Sequence, residues 1–111
     1  MVEIKFSKDN NKIKLFLDGH AGQADIGQDI VCASASILAY TVAQIVTDAY
    51  EERKLKRKPM VELEKGKAVI VCEPKDEYYA EMLYAYFVSQ VGYNLLSCNY
   101  PQYIKLTMFN N

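Results

Sequence analysis

Two segments at the start of the chain alternate apolar and polar residues, and a turn-forming stretch separates them. Apolar side chains fall at every second position in residues 2–7, and residues 12–18 repeat the alternation. Residues 8–11 read Lys-Asp-Asn-Asn, which favours a turn. A period of two is typical of a strand with one buried face, so the pattern predicts a β-hairpin that ends at Asp18 and Gly19.

Two helices are predicted further along the chain. Apolar residues recur at helical spacing over residues 31–53, and Pro59 prevents continuation of that helix. A second helix is predicted from Asp76, which is expected to cap it, to about Val91. Several tyrosines lie on this second helix. They suit either a dimer interface or a face packed on the sheet.

Three further strands are predicted, over residues 60–64, 67–73 and 103–109. The second of them is continuously apolar, so it is expected to be covered on both faces. The resulting order, ββαββαβ, predicts an α+β fold, a two-layer sandwich in which two helices pack on a mostly antiparallel sheet. The length of 111 residues fits one domain, 1–111.

Composition narrows the classes of function. The formal net charge of −1 does not favour nucleic-acid binding by the chain as a whole. No apolar run approaches the roughly 20 residues that span a bilayer, and the N-terminus lacks the apolar block of a signal peptide. We therefore expect a cytoplasmic protein with no membrane partner and no direct nucleic-acid binding.

Three cysteines, Cys32, Cys72 and Cys98, are scattered without a motif spacing, so neither a disulfide framework nor a metal site is predicted. No cofactor is expected either. Cys32 lies where a polar loop becomes the first predicted helix, and the single histidine, His20, precedes it by twelve residues. A thiol in the first turn of a helix, with an imidazole beside it, is the minimum arrangement for a cysteine nucleophile and its base.

The connection between these two residues is rich in glycine. Residues 19–30 contain Gly19, Gly22 and Gly27, and a segment with this composition is expected to be a mobile loop. Such a loop can fold back and bring its ends together. Residues 21–28 would then form a lid over a bound peptide. The alternative is an ordinary connection, with Cys32 a small buried apolar residue and His20 a turn residue.

The sequence Gly19-His20-Ala21, followed by residues 29–33 (Asp-Ile-Val-Cys-Ala) and Ser36, resembles the signature of the ribosomal-processing cysteine protease family of Firmicutes and related bacteria. This resemblance implies a homodimeric endopeptidase that removes a short N-terminal extension from large-subunit ribosomal protein twenty-seven. It implies that Cys32 is the nucleophile and His20 the general base, and that the cleft is apolar. Some phage-associated relatives process capsid or scaffold proteins instead.

Three further residues, Gly19, Asp29 and Ser36, match other positions of the signature. Asp29 would either orient His20 or cap the helix, and its carboxylate is expected to face away from the sulfur, whose pKa it would raise. Ser36 lies one turn after Cys32, and its hydroxyl would bond His20, the substrate or a backbone carbonyl. The backbone N–H groups of Cys32 and Ala33 are candidates for an oxyanion hole.

Two hypotheses without catalysis compete with the protease hypothesis. Residues 51–58 carry five cations and two anions, which would suit RNA contact by a ribosome-associated adaptor. A solvated helix end explains the same run more simply. The other alternative is a dimeric structural module with an inert cysteine.

Overall fold

In a computed structural model, residues 1–19 and 26–110 are described, and they form a five-stranded sheet with two helices. The elements are β1 Val2–Asp9, β2 Lys12–Asp18, α1 Ile26–Glu51, β3 Met60–Glu64, β4 Lys67–Cys72, α2 Tyr79–Asn99 and β5 Ile104–Thr107. A short 3-10 turn, Asp76–Tyr78, leads into α2. The predicted order ββαββαβ and the α+β class are confirmed.

The strands lie side by side in the order β3-β4-β2-β1-β5. All neighbouring pairs are antiparallel except β1 and β5, which run parallel. Asn10 and Asn11 close the β1–β2 hairpin with φ angles of 49° and 69°. Positive φ at both central residues defines the turn whose twist matches a two-residue hairpin, and asparagine tolerates that conformation.

One face of the sheet carries the core. The apolar residues of β1, β2 and β4 that point to this face are buried against both helices: Val2, Ile4, Phe6, Ile13, Leu15, Leu17, Ala68, Ile70 and Cys72. On β4 the intervening Val69 and Val71 are half-buried on the outer face. The expectation that this strand is covered on both faces was wrong, because the helices that the structure describes lie on one face only.

Helix α1 begins at Ile26, five residues before the predicted start. The prediction failed there because three glycines in twelve residues suggested a loop, whereas the backbone around Gly27 is helical. Residues 26–28 of the proposed lid therefore belong to α1, and residues 21–25 lie outside the described part of the chain. Buried residues at helical spacing, including Val31, Ala35 and Val42, attach α1 to the sheet.

Helix α2 extends eight residues past the predicted end, because Gly92 does not interrupt it. The predicted cap is also wrong: Lys75 is the N-cap of the 3-10 turn and makes no side-chain capping bond, whereas Asp76 pairs with Lys56 at 3.1 Å. The last strand is shorter than predicted, covering Ile104–Thr107.

Two tyrosines of α2 connect the layers. The Tyr93 hydroxyl donates to the carbonyl of Ala35 on α1 at 2.8 Å, and the Tyr86 hydroxyl donates to the carbonyl of Ile70 on β4 at 3.2 Å. Both side chains are fully buried. Tyr84, by contrast, is exposed, so the tyrosines of α2 divide between the core and the surface.

Helix α1 also has the length and apolar composition of a membrane span over Asp29–Glu51. This is weak support for a membrane role, because the core helix of a soluble protein has the same properties. Here the helix packs its buried residues on the sheet. The absence of a membrane partner remains a prediction.

Candidate active site

Cys32 lies in the second turn of α1 and is half-buried. The sequence-based placement in the first helical turn is wrong, because the helix starts at Ile26. Amides in the second turn of an α-helix donate to carbonyls four residues earlier. The Cys32 amide therefore donates to the Gln28 carbonyl, and the Ala33 amide donates to the Asp29 carbonyl. Stabilisation of an oxyanion by the Cys32 and Ala33 amides remains a prediction, and it requires this turn to open.

The described surroundings of Cys32 favour the protonated thiol. Burial is the main cause that raises its pKa, the positive charge of the N-terminus opposes this, and the Asp29 carboxylate adds to it. The Asp29 charge therefore acts against thiolate formation, as a nearby carboxylate should. Activation at neutral pH requires a base or cation from elsewhere, and the predicted base, His20, lies outside the described residues. The contact between sulfur and imidazole stays a prediction.

A cleft of about 390 Å³ opens beside Cys32. One wall is a row of α1 residues spaced four apart, Cys32, Ser36 and Tyr40, which share one helix face. The opposite wall is the β3–β4 hairpin, with Leu63 and Glu64 at its strand end. Its floor is formed by buried apolar residues of β1 and β2. A peptide segment could lie between the walls with its carbonyl next to the sulfur.

Gly19 occupies a position that other residues would not tolerate. Its φ is +143°, and a Cβ there would collide with the Met1 carbonyl and the Val2 backbone. Its N–H donates to the Gly66 carbonyl at 2.9 Å. Glycine at this position therefore lets the chain leave β2 close to β1, on the path toward His20. It also lines the cleft.

The remaining predicted site residues divide into three groups. Ser36 lines the cleft as its spacing from Cys32 suggested. Asp29 lies in the first turn of α1, inside the helix and not at its N-cap, where a carboxylate still complements the helix dipole. Gly22 lies outside the described residues, and Gly27 belongs to α1 and not to a loop.

The cleft residues that the sequence analysis missed include Tyr40 and Leu63. Tyr40 carried a usable signal, because it lies eight residues after Cys32 and so on the same helix face. No sequence signal pointed to Leu63. Its position beside α1 depends on the order of strands in the sheet, in which β3 is an edge strand, and the sequence did not specify that order.

The charge run after α1 is largely engaged in ion pairs with other parts of the chain. Three of its five cations contact carboxylates on or near the start of α2: Lys54 with Glu81 at 3.0 Å, Lys56 with Asp76 at 3.1 Å and Arg57 with Glu73 at 3.4 Å. The Lys54 ammonium also lies 5.6 Å from the Tyr78 ring centroid. These contacts favour a role in holding the α1–β3 connection and give the RNA-adaptor hypothesis no support.

Comparison with solved structures shows the same fold in known proteins. The SMU.848 protein of Streptococcus mutans aligns over 99% of this chain and 96% of its own, with a TM-score of 0.68 and 19% identity. The essential ribosomal processing protease Prp from S. aureus, in complex with a substrate peptide, aligns over 99% and 100% with a TM-score of 0.65 and 20% identity. The same S. aureus protease with a covalently linked product peptide gives a TM-score of 0.63 at 20% identity.

Among curated proteins, no sequence matches this chain. A family model does match: the one described as cysteine protease Prp covers residues 1–105. The matched region contains Cys32, the cleft beside it and all five strands except the last two residues of β5. The chain therefore belongs to the cysteine protease Prp family and is a cysteine protease.

Proposed function

We propose that this enzyme removes a short N-terminal extension from large-subunit ribosomal protein twenty-seven during ribosome maturation. The observation that carries the proposal is the half-buried Cys32 at the wall of a peptide-sized cleft, in a chain of the Prp family. The S. aureus relative, described as a ribosomal processing protease, has been captured with both substrate and product peptides. A ribosomal substrate would also support a cytoplasmic location.

The chemistry follows from a thiol and an imidazole. His20 takes the proton from Cys32, and the sulfur attacks the scissile carbonyl. The tetrahedral intermediate collapses to a thioester on Cys32, while the amine of the downstream product leaves with the proton held by His20. Water, deprotonated by His20, then hydrolyses the thioester and frees the sulfur. The Ser36 hydroxyl lies on the same wall of the cleft and would contact His20 or the substrate.

A cleavage assay tests the proposal. Purified enzyme is incubated with the precursor form of ribosomal protein twenty-seven, and the products are identified by mass. We expect one cut that releases the extension, lost in Cys32→Ala and retained in Cys98→Ser, which removes an exposed thiol outside the cleft. Equal cleavage by Cys32→Ala would overturn the mechanism. Cleavage of a phage capsid or scaffold precursor, but not of the ribosomal one, would overturn the substrate assignment.

We also propose that the enzyme is a homodimer joined through the outer face of its helices. Apolar side chains of α1 and α2 are exposed there, including Ile37 at 60%, Tyr84 at 68% and Leu95 at 59%. Val88 and Val91 continue the patch along α2. Monomeric proteins rarely expose contiguous apolar patches of this kind, and a second copy would cover it.

Sedimentation equilibrium measures the oligomeric state directly. We expect a dimer for the wild type and a monomer for Val88→Lys, which places a charge in the patch. Glu3→Lys, an exposed change on the opposite face of the sheet, should leave the dimer intact. A monomeric wild type at micromolar concentration would contradict the proposal.

A further inference from the structure

The hydroxyl of Tyr93 joins α2 to the part of α1 that carries the cleft residues. It donates to the Ala35 carbonyl at 2.8 Å, and Ala35 lines the cleft three residues after Cys32. In an α-helix each N–H donates to the carbonyl four residues earlier, so the Ser36 N–H donates to the Cys32 carbonyl. The peptide unit between Ala35 and Ser36 therefore connects the Tyr93 hydroxyl with the backbone of Cys32.

The Tyr93 side chain is a rigid donor. It is fully buried, and its ring centroid lies 5.7 Å from that of Phe6. The Phe6 ring in turn contacts Phe109 at 5.2 Å. Side chains in a close-packed interior have few alternative positions, so the hydroxyl stays directed at α1. Burial also raises the pKa of Tyr93, so the hydroxyl keeps the proton that it donates at neutral pH.

The bond to α1 is not needed to complete the helix. A carbonyl inside an α-helix already accepts from the N–H four residues later, so the Ala35 carbonyl has a partner without Tyr93. A buried tyrosine hydroxyl needs an acceptor, but a carbonyl elsewhere serves equally well: Tyr86 donates to Ile70 on β4 at 3.2 Å. The two tyrosines thus make the same kind of bond, and only that of Tyr93 reaches a cleft residue.

The residue before Tyr93 allows the two helices to approach each other at this point. A Cβ on Gly92 would lie 2.9 Å from a methyl group of Leu38, which follows Ala35 by three residues. The close contact and the Tyr93 bond therefore fix α1 to α2 along the same turn. That turn comes directly after Cys32.

We infer that Tyr93 is a positioning residue of the protease, whose bond to Ala35 fixes the rotation and depth of the α1 face that presents Cys32 and Ser36 to the cleft. The inference rests on the proposed function, in which Cys32 is the nucleophile. Tyr93 does not line the cleft, so it acts through α1 and not on the substrate. Displacement of a reacting group by about 1 Å can lower a rate about a hundredfold. Without this bond α1 is free to turn against α2, and the sulfur loses its alignment with the scissile carbonyl.

Two matched variants of α2 test the inference. Tyr93→Phe and Tyr86→Phe each keep the ring and remove one buried hydroxyl, so the thermal midpoint should fall by about 4–8 °C in both. Cleavage of the precursor of ribosomal protein twenty-seven is measured at a temperature at which both variants are folded. We expect kcat to fall about ten- to a hundredfold in Tyr93→Phe, with KM changed by less than about twofold, and kcat of Tyr86→Phe to stay within about twofold of the wild type. Equal kcat in the two variants would overturn the positioning role.

Failure of the wild type to cleave this precursor would overturn the proposed substrate, and alkylation of Cys32 then tests Tyr93 without a substrate. The rate of iodoacetamide modification is measured against pH in a Cys98→Ser background. In Tyr93→Phe the profile should shift to higher pH, toward that of His20→Ala, because a displaced sulfur loses contact with its base. Tyr86→Phe should keep the wild-type profile. The same profile in Tyr93→Phe and Tyr86→Phe would then overturn the inference.

Discussion

The net effect of the described surroundings of Cys32 is to oppose ionisation of its thiol, so its reactivity should depend on His20. Burial raises the pKa of Cys32 most, the positive N-terminus lowers it, and Asp29 raises it by a smaller amount. In a Cys98→Ser background, the rate of iodoacetamide alkylation in His20→Ala should keep rising beyond pH 9, because the thiol then titrates above its ordinary value. With His20 present, the rate near pH 7 should be higher. Superimposable pH profiles would remove His20 from the activation of the sulfur.

Gly19 is the residue whose backbone most directly constrains the path from β2 toward His20. Gly19→Ala introduces a Cβ against the Met1 carbonyl at a φ of +143°. We expect a loss of about 1–3 kcal/mol in the free energy of unfolding, the usual cost of a strained backbone position. Chemical denaturation measures this loss, and kcat/KM should fall as well. The matched comparison is Gly66→Ala, because Gly66 also has a positive φ, +78°, but lies in the turn of a hairpin.

Among the elements, the two helices approach each other closely at Gly92. A Cβ there would lie 2.9 Å from a Leu38 methyl group. Gly92→Val should therefore force α1 and α2 apart and cost about 1–3 kcal/mol of stability, as overpacking usually does. Asn94→Val places the same β-branched residue at an exposed position of α2 and controls for helix propensity. Equal stability of the two variants would show that the helices are not tightly packed at this point.

Some sequence patterns were sufficient to predict an element, and others were not. The β1–β2 hairpin was predicted almost to the residue, because alternation and the Asn10-Asn11 turn indicate the same structure. The start of α1 was missed because Gly27 suggested a loop, although helix dihedral angles are open to glycine at a modest cost. The end of α2 was missed as well. Gly92, the residue after the predicted end, is in close contact with Leu38, which no local pattern reveals.

The candidate site was predictable in part. Cys32 and Ser36 were found because they share a helix face and match a family signature. Leu63 and the β3 edge were not found, because their proximity to Cys32 is produced by the order of strands in the sheet. Hairpin and helix periods do not encode that order, so one wall of the cleft could be inferred from the sequence and the other could not.

At the scale of the whole molecule, the buried thiol and phenol groups make stability dependent on alkaline pH. Burial raises the pKa of Cys72 to about 11, and burial raises that of Tyr86 well above its ordinary value. Consider an acid whose pKa is higher in the folded than in the unfolded state. It stabilises the fold fully at pH values below its unfolded pKa, and this stabilisation is lost as the pH rises to its folded pKa. For Cys72 the window runs from about pH 9 to about 11.

The free energy of unfolding should therefore fall by about 2–3 kcal/mol from Cys72 over that window, at about 1.4 kcal/mol per pKa unit. Urea denaturation between pH 8 and 11 measures the change. Cys72→Val keeps an apolar side chain of similar size and should show a shallower decline. The same slope in both proteins would contradict the assignment to the Cys72 thiol.

The Cys32 sulfur should form the acyl intermediate, and rapid quenching can trap it. Enzyme is mixed with the precursor of ribosomal protein twenty-seven, quenched in acid within the first turnover and analysed by intact mass and peptide mapping. We expect a species heavier by the acyl form of the released extension, with the added mass on the peptide that contains Cys32. Full product release without any adduct, at a rate unchanged in Cys32→Ala, would contradict it.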